Sequence, residues 1–182
     1  GAPPAPPVEA ESLRSVLVFI RSLRSFRHIS LAAALHAFYG YGSGFFMPVF
    51  MIRVHGFSEG ELSTYLSLIV LIGSGAGTFL GGWLGDRLAQ RDQRWYMWLP
   101  GLSTALGIPF AAAVYLWPDR YVALGFAIPA LLLGAMYLGP TFAMAQGLAR
   151  PHMRALVSAF LLFVINLIGL GLGPQVVGLV SD

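Results

Sequence analysis

The sequence predicts an all-α membrane protein, a bundle of five spanning helices. Three observations carry that expectation. Of 182 residues, 57% are hydrophobic and only 10% are charged, whereas a soluble domain carries about a quarter charged residues. The charged residues fall in clusters that leave five charge-free stretches, 28–52, 62–85, 95–118, 121–149 and 155–181. Each exceeds the roughly 20 residues of helix that a hydrocarbon core demands. Finally, the basic residues are all Arg and lie almost entirely at one set of span ends. Helix is the reading for each stretch because backbone polar groups in lipid must be paired within the segment, and a membrane barrel would show short alternating strands instead.

Taken in order, residues 1–10 form a Pro/Ala-rich linker, with GAPPAPPV at its start. Residues 11–27 read as a basic amphipathic helix on the cytoplasmic surface. Arg14, Arg21 and His28 recur every seven residues with Arg24 beside them, and Leu13, Val16, Leu17, Ile20 and Leu23 lie roughly opposite. The five spans follow. Arg14, Arg21, Arg24 and Arg27 precede the first span, Arg87, Arg91 and Arg94 separate the second from the third, and Arg150 and Arg154 separate the fourth from the fifth. Only Arg53 and Arg120 occupy the other side. The positive-inside rule then places the N-terminus and the loops near 90 and 152 in the cytoplasm, for a multi-pass protein of the cell inner (plasma) membrane. Trp83, Trp95, Trp98 and Trp117 sit near span ends, where an aromatic belt places them.

The chain repeats itself. LIGSGAGTFLGGWLGD at 71–86 and LIGLGLGPQVVGLVSD at 167–182 share Leu71/Leu167, Ile72/Ile168, Gly73/Gly169, Gly75/Gly171, Gly77/Gly173, Gly82/Gly178 and Asp86/Asp182. The two copies end on opposite sides of the membrane, the mark of an inverted three-span repeat. Spans four and five then repeat spans one and two. The partner of span three would lie beyond Asp182, so the expectation is a 3+3 half-bundle whose last helix is missing.

Within the spans, Gly73, Gly77, Gly81 and Gly85 form a smooth stripe, which lets helix backbones approach closely in lipid. Pro129 and Pro140 in span four and Pro174 in span five are candidate kinks, and interrupted spans are the best sequence pointer to a transporter's binding site. No carboxylate and no Arg lies inside a span. His36 is the titratable group there, apart from tyrosines and the boundary His28. Tyr39 shares its helix face, Tyr137 and Thr141 share a face beside Pro140, and Asn166 needs a partner in mid-membrane. These five residues, His36, Tyr39, Tyr137, Thr141 and Asn166, are the candidate cavity lining.

Several functions are excluded. With no Cys there is no disulfide scaffold, thiolate site or cysteine nucleophile. Ser43 and Ser74 lie in glycine-rich contexts that fit no serine-protease frame, and Leu84-Gly85-Asp86 lacks the earlier Gly of an aspartyl intramembrane protease. No metal-ligand cluster, phosphate loop or nucleic-acid-binding face is present in the sequence, and no cofactor or enzymatic activity is expected.

Residues 81–94, GGWLGDRLAQRDQR, resemble the signature between the second and third spans of a half-transporter of the major facilitator superfamily. Gly82, Asp86, Arg87 and Arg91 match it, while Ala89 stands where a turn glycine is usual. The resemblance implies a cytoplasmic gating latch of Asp86, Arg87 and Arg91, with the carboxylate at a helix end accepting Arg hydrogen bonds. RDQRWYMWLP at 91–100, SFRHISLAAALHAFYGYGSGFFMPVF at 25–50 and the segment 151–182 are similar to the C-terminal half of bacterial spinster-like transporters. That resemblance implies a fragment of a secondary active transporter working by alternating access. Its partners would be the bilayer, an N-terminal transporter half, a lipid-like or amphiphilic solute and protons. The alternatives are a drug or metabolite proton antiporter of the same superfamily and a non-transporting membrane scaffold subunit.

Overall fold

A computed structural model describes the backbone of residues 13–181 and the side chains of 17–179. Residues 1–12, with the linker, and Asp182, the last residue of the repeat, lie outside that range, as does the Arg14 side chain. The elements are α1 (Leu13–Ser22), α2 (Arg24–His55), α3 (Glu59–Ala89), α4 (Trp95–Leu116), α5 (Arg120–Ala135), α6 (Leu138–Gly147), a 3-10 turn at Pro151–Met153 and α7 (Arg154–Ser181).

The boundaries follow from local chemistry. Gly56, at φ 69°, closes α2 in the left-handed conformation, and its N–H reaches the Ile52 carbonyl. Two residues on, the Ser58 hydroxyl accepts from the Glu61 N–H and starts α3. Asp119 caps α5, taking the N–H groups of Tyr121 and Val122 at 3.0 and 2.9 Å. Ser63, Thr64 and Ser67 return their hydroxyls to carbonyls four residues back, which pairs these polar groups within α3.

Four segments are long and apolar enough to cross a membrane: Glu59–Ala89, Trp95–Leu116, Arg120–Gly147 and Pro151–Leu179. The sequence expectation was five. The difference is α2, which contains the charge-free stretch 28–52 but carries His36 and then, in succession, Tyr39, Gly40, Tyr41, Gly42, Ser43 and Gly44. These polar and small residues dilute its apolar character. Span four differs too: it is not one helix but two, parted at Met136–Tyr137. Pro140 lies in the first turn of α6, where a missing N–H is tolerated but from which a continuous helix cannot extend backward unstrained. Pro129 and Pro174 sit inside α5 and α7 without interrupting them.

Many large apolar side chains point outward, among them Leu71, Phe79, Leu106, Leu116 and Leu179, each more than 60% exposed. An apolar surface of that extent belongs against lipid or another protein. Trp83, Trp98 and Trp117 are exposed near helix ends, as the aromatic belt requires.

The helices pair in a crossed pattern, α2 with α7 and α3 with α5. Glycines make both pairings. A Cβ on Gly77 would overlap the Leu132 carbonyl oxygen, and one on Gly81 would overlap that of Met136. Gly139 of α6 meets Gly82 of α3 with comparable closeness. On the other pair, a Cβ on Gly173 would lie 2.6 Å from the Phe38 carbonyl oxygen, and one on Gly169 2.7 Å from Ala37 Cβ. Gly73 and Gly77 therefore do on α5 what their repeat mates Gly169 and Gly173 do on α2.

Two apolar cores close the ends of the bundle. Ile20, Phe26, Ala33, Ala37, Ala145, Ala149, Met153, Val157, Leu161 and Ile165 form the first. Met51, Phe57, Leu62, Ile69, Val114, Ala123, Leu124 and Ala127 form the second. Beside the second, Arg120 lies over the Phe57 and Tyr121 rings at 5.1 and 4.6 Å, and the Tyr121 hydroxyl donates to Glu61 at 3.0 Å, which ties the α2–α3 connection to the start of α5.

Gly77→Ala and Gly81→Ala should each lower the unfolding free energy in detergent by about 2 kcal/mol or more, because the obstacle is backbone and cannot rotate away. Gly75→Ala, with nothing within 4 Å of the added carbon, should be tolerated. Chemical denaturation followed by circular dichroism measures the difference.

Candidate functional site

Between the two cores lies a cavity of about 340 Å³, within the range of small-ligand sites. Segments of α2, α3, α4, α5 and the α5–α6 break wall it. Its polar groups are hydroxyls, contributed by Ser43, Ser74, Thr78, Thr104 and several tyrosines, together with the His36 imidazole. No Asp, Glu or Arg is among the lining residues.

His36 joins three helices. Its Nε2 lies 2.9 Å from the carbonyl oxygen of Gly134, in the last turn of α5 where that helix ladder ends. Its Nδ1 lies 3.3 Å from the Thr104 hydroxyl on α4. Its ring packs on Tyr137 at the break, with centroids 4.1 Å apart. A carbonyl can only accept, so Nε2 carries the hydrogen. In the neutral ring Nδ1 is then an acceptor, and Thr104 donates to it. The hydroxyl's lone pairs are left for the cavity.

Of the sequence-predicted lining, His36, Tyr39 and Tyr137 come together on this cavity. Thr141 does not line it: it is buried one turn into α6. Asn166 also lies off the lining. Its Nδ2 donates to the Leu162 carbonyl, and its Oδ1 accepts from the hydroxyl of Tyr41, which does line the cavity. Asn166 thus supports the wall from behind. Ser74 and Thr78 went unrecognised in the sequence, although four-residue spacing beside the glycine stripe was the available signal. Thr104 had none, because its meeting with His36 spans 68 residues.

The signature residues gather at the end of α3. Gly82 is the close-contact point with Gly139. Asp86 accepts a hydrogen bond from the Tyr96 hydroxyl at 2.9 Å, so its observed partner is a tyrosine on α4 and not an arginine. Arg87 lies over the Trp83 ring at 5.4 Å, and Arg91 is exposed in the connection to α4. With Ala89 in the turn-glycine position, α3 simply runs to Ala89 and leaves in a right-handed turn through Gln90. Among the described residues, no group of His, Cys, Asp or Glu is arranged to hold a metal ion.

Membrane-length helices surround an uncharged, largely apolar cavity with a few hydroxyls in its wall, the architecture of a polytopic membrane protein. The chain belongs to the Major Facilitator Superfamily, whose family model matches residues 1–174. It is therefore a piece of a membrane transporter family and not of an enzyme family. It is 35% identical over 143 residues to an MFS-type efflux pump of Mycolicibacterium smegmatis, covering 79% of this chain and 33% of that protein. Its fold matches crystal structures of a bacterial homologue of the human lysosomal transporter Spinster. The inward-facing unoccupied form gives a TM-score of 0.85 at 31% identity over 96% of this chain and 36% of the other. The inward-facing occupied form gives 0.76 at 34% identity over 85% and 33%. The chain thus spans about a third of the length of these relatives.

Nitrogen-15 NMR of the histidine-labelled protein should show His36 with a protonated Nε2 and an unprotonated Nδ1 at neutral pH. Thr104→Val should perturb the Nδ1 resonance more than the Nε2 resonance. A protonated Nδ1 in the neutral ring would contradict the assigned bonding.

Proposed function

We propose that this chain supplies part of one half of a secondary active transporter that works by alternating access and moves a lipid-like or amphiphilic solute. The observation that carries the reading is the cavity: about 340 Å³, walled largely by apolar side chains, with hydroxyls and one imidazole as its polar groups. Such a wall solvates an acyl or other apolar body and offers a few hydrogen bonds to orient it, while leaving any charged headgroup to the rest of the transporter. The named relatives, an efflux pump and a homologue of a lysosomal transporter, agree in class.

In this reading α2 is a fifth span. Its polar face borders the cavity, which is why it alone among the long helices falls short in apolar character. The crossed glycine contacts relate α2–α3 to α5–α7 as two inverted units. The end bearing α1 and the loops near 90 and 152 faces the cytoplasm, from the arginine asymmetry. Asp86 and Tyr96 then form a cytoplasmic latch between α3 and α4, with Arg87 and Arg91 beside it. Thr104, its hydroxyl oriented by His36, presents the solute-facing hydrogen-bonding edge, with His36, Tyr39 and Tyr137 as its aromatic flanks. The efflux-pump relative keeps drug or metabolite antiport as the second reading.

Proteoliposomes containing the complete transporter decide between these. A fluorescent lysolipid should cross faster than a sugar or a dipeptide, and a reversed order would overturn the amphiphile assignment. Asp86→Asn should lower turnover about tenfold, the cost of weakening one charge-assisted hydrogen bond, with insertion unchanged. Equal flux in the variant would remove the latch.

A further inference from the structure

We propose that the end of the bundle carrying α1 is a binding surface for anionic phospholipid headgroups. The first core sits at this end, and its buried anchors have a common neighbour. Ile20 is followed by Arg21, Phe26 by Arg27, Ala149 by Arg150 and Met153 by Arg154. Four arginines from α1, α2, the α6–α7 connection and the start of α7 are thereby rooted around one apolar cluster, and Arg24 starts α2 between them. All five are exposed, while the anchors before the four are buried.

Among the described residues, nothing of opposite charge is bonded to them. No Asp or Glu occurs from residue 13 to 58 or from 120 to 181. At the α3–α4 connection, Asp86 accepts from Tyr96 and Asp92 accepts from the Arg94 N–H. Guanidinium groups in this number, without carboxylate partners among the described residues, match phosphate, which they bind through paired donors.

The surface is also apolar in the right place. Beside Arg21 on α1, Leu17 and Val18 are 46% and 63% exposed, while Ile20 turns inward to the core. A helix that fixes one apolar residue in the bundle and leaves two facing out beside arginines fits the boundary between acyl chains and headgroups. A soluble polyanion would use the arginines but have no use for Leu17 and Val18. The occupant is therefore a lipid, seated by its phosphate on Arg21, Arg24, Arg27, Arg150 and Arg154 and by its chains beside α1. The proposal rests on this end lying at a bilayer margin and not on the solute transported. Its failure would leave the transport reading standing.

The test reconstitutes the chain in nanodiscs of phosphatidylcholine mixed with phosphatidylglycerol and counts retained lipid by native mass spectrometry. Phosphatidylglycerol should be retained in preference. The triple variant Arg21→Gln, Arg24→Gln, Arg27→Gln should weaken that retention on the order of a hundredfold, at the roughly tenfold or less that each interfacial arginine contributes. The pair Arg150→Gln, Arg154→Gln should weaken it by a smaller factor, and Arg53→Gln at the opposite end should leave it unchanged. Circular dichroism establishes that each variant keeps its helix content. Inorganic phosphate should not displace the lipid. Equal retention of the two lipids, an unaffected triple variant, displacement by phosphate, or capture of nucleic acid without lipid preference would each overturn the proposal.

Discussion

Backbone-to-backbone contact at glycine is the constraint on which the rest of this structure depends. Inside a bilayer there is no water to drive apolar helices together, so close packing has to supply the association. Here it is supplied where α3 lies against α5 and α6, and where α7 lies against α2. At Gly77, Gly81 and Gly173 the opposing atom is a main-chain carbonyl oxygen. No side chain is interposed, and none can be added without separating the helices. The crossing of these pairs also explains the sequence repeat: the same glycine spacing is used twice because the same kind of contact is made twice.

That contact fixes the position of the helix break. The carbonyls of Leu132 and Met136 that face Gly77 and Gly81 belong to the last turn of α5 and to the break itself, just before the chain re-enters helix at Leu138. Held from behind by α3, the break presents Gly134 and Tyr137 toward α2, where His36 meets both. The imidazole is then pinned by Thr104 from α4. A cavity survives between these elements because the apolar cores lie at the two ends of the bundle, not at its middle. The polar content of the cavity wall comes at the expense of the apolar character of α2, the helix that contributes most to it.

Much of this was legible in the sequence, for reasons that are physical. Exclusion of Arg and carboxylates from long stretches is a strong signal because the penalty for burying them in lipid is large. The glycine stripe was equally readable, since its four-residue period is the period of a helix face, and the structure puts all four of Gly73, Gly77, Gly81 and Gly85 inside. His36, Tyr39 and Tyr137 were conspicuous as polar groups in apolar spans, and the structure places them on the cavity wall. Thr141 and Asn166 were conspicuous for the same reason and lie off the cavity, because polarity marks a need for a partner and not the direction of a side chain. The partner of Asp86 was illegible. An arginine in sequence proximity was the electrostatic expectation, yet the chain turns after Gln90 so that Tyr96 on the next helix reaches the carboxylate first.

Helices α2, α3 and α4 turn polar groups to a shared cavity and large apolar side chains outward. Site-directed labelling tests this most directly, because the sequence contains no cysteine of its own. Single cysteines at Ser74, Thr78 and Thr104 in the membrane-embedded complete transporter should react with a membrane-impermeant hydrophilic maleimide. Cysteines at Phe79 and Leu106, on the outward faces of α3 and α4, should not. Labelling at Phe79 and Leu106 with protection at the three hydroxyl positions would contradict the arrangement.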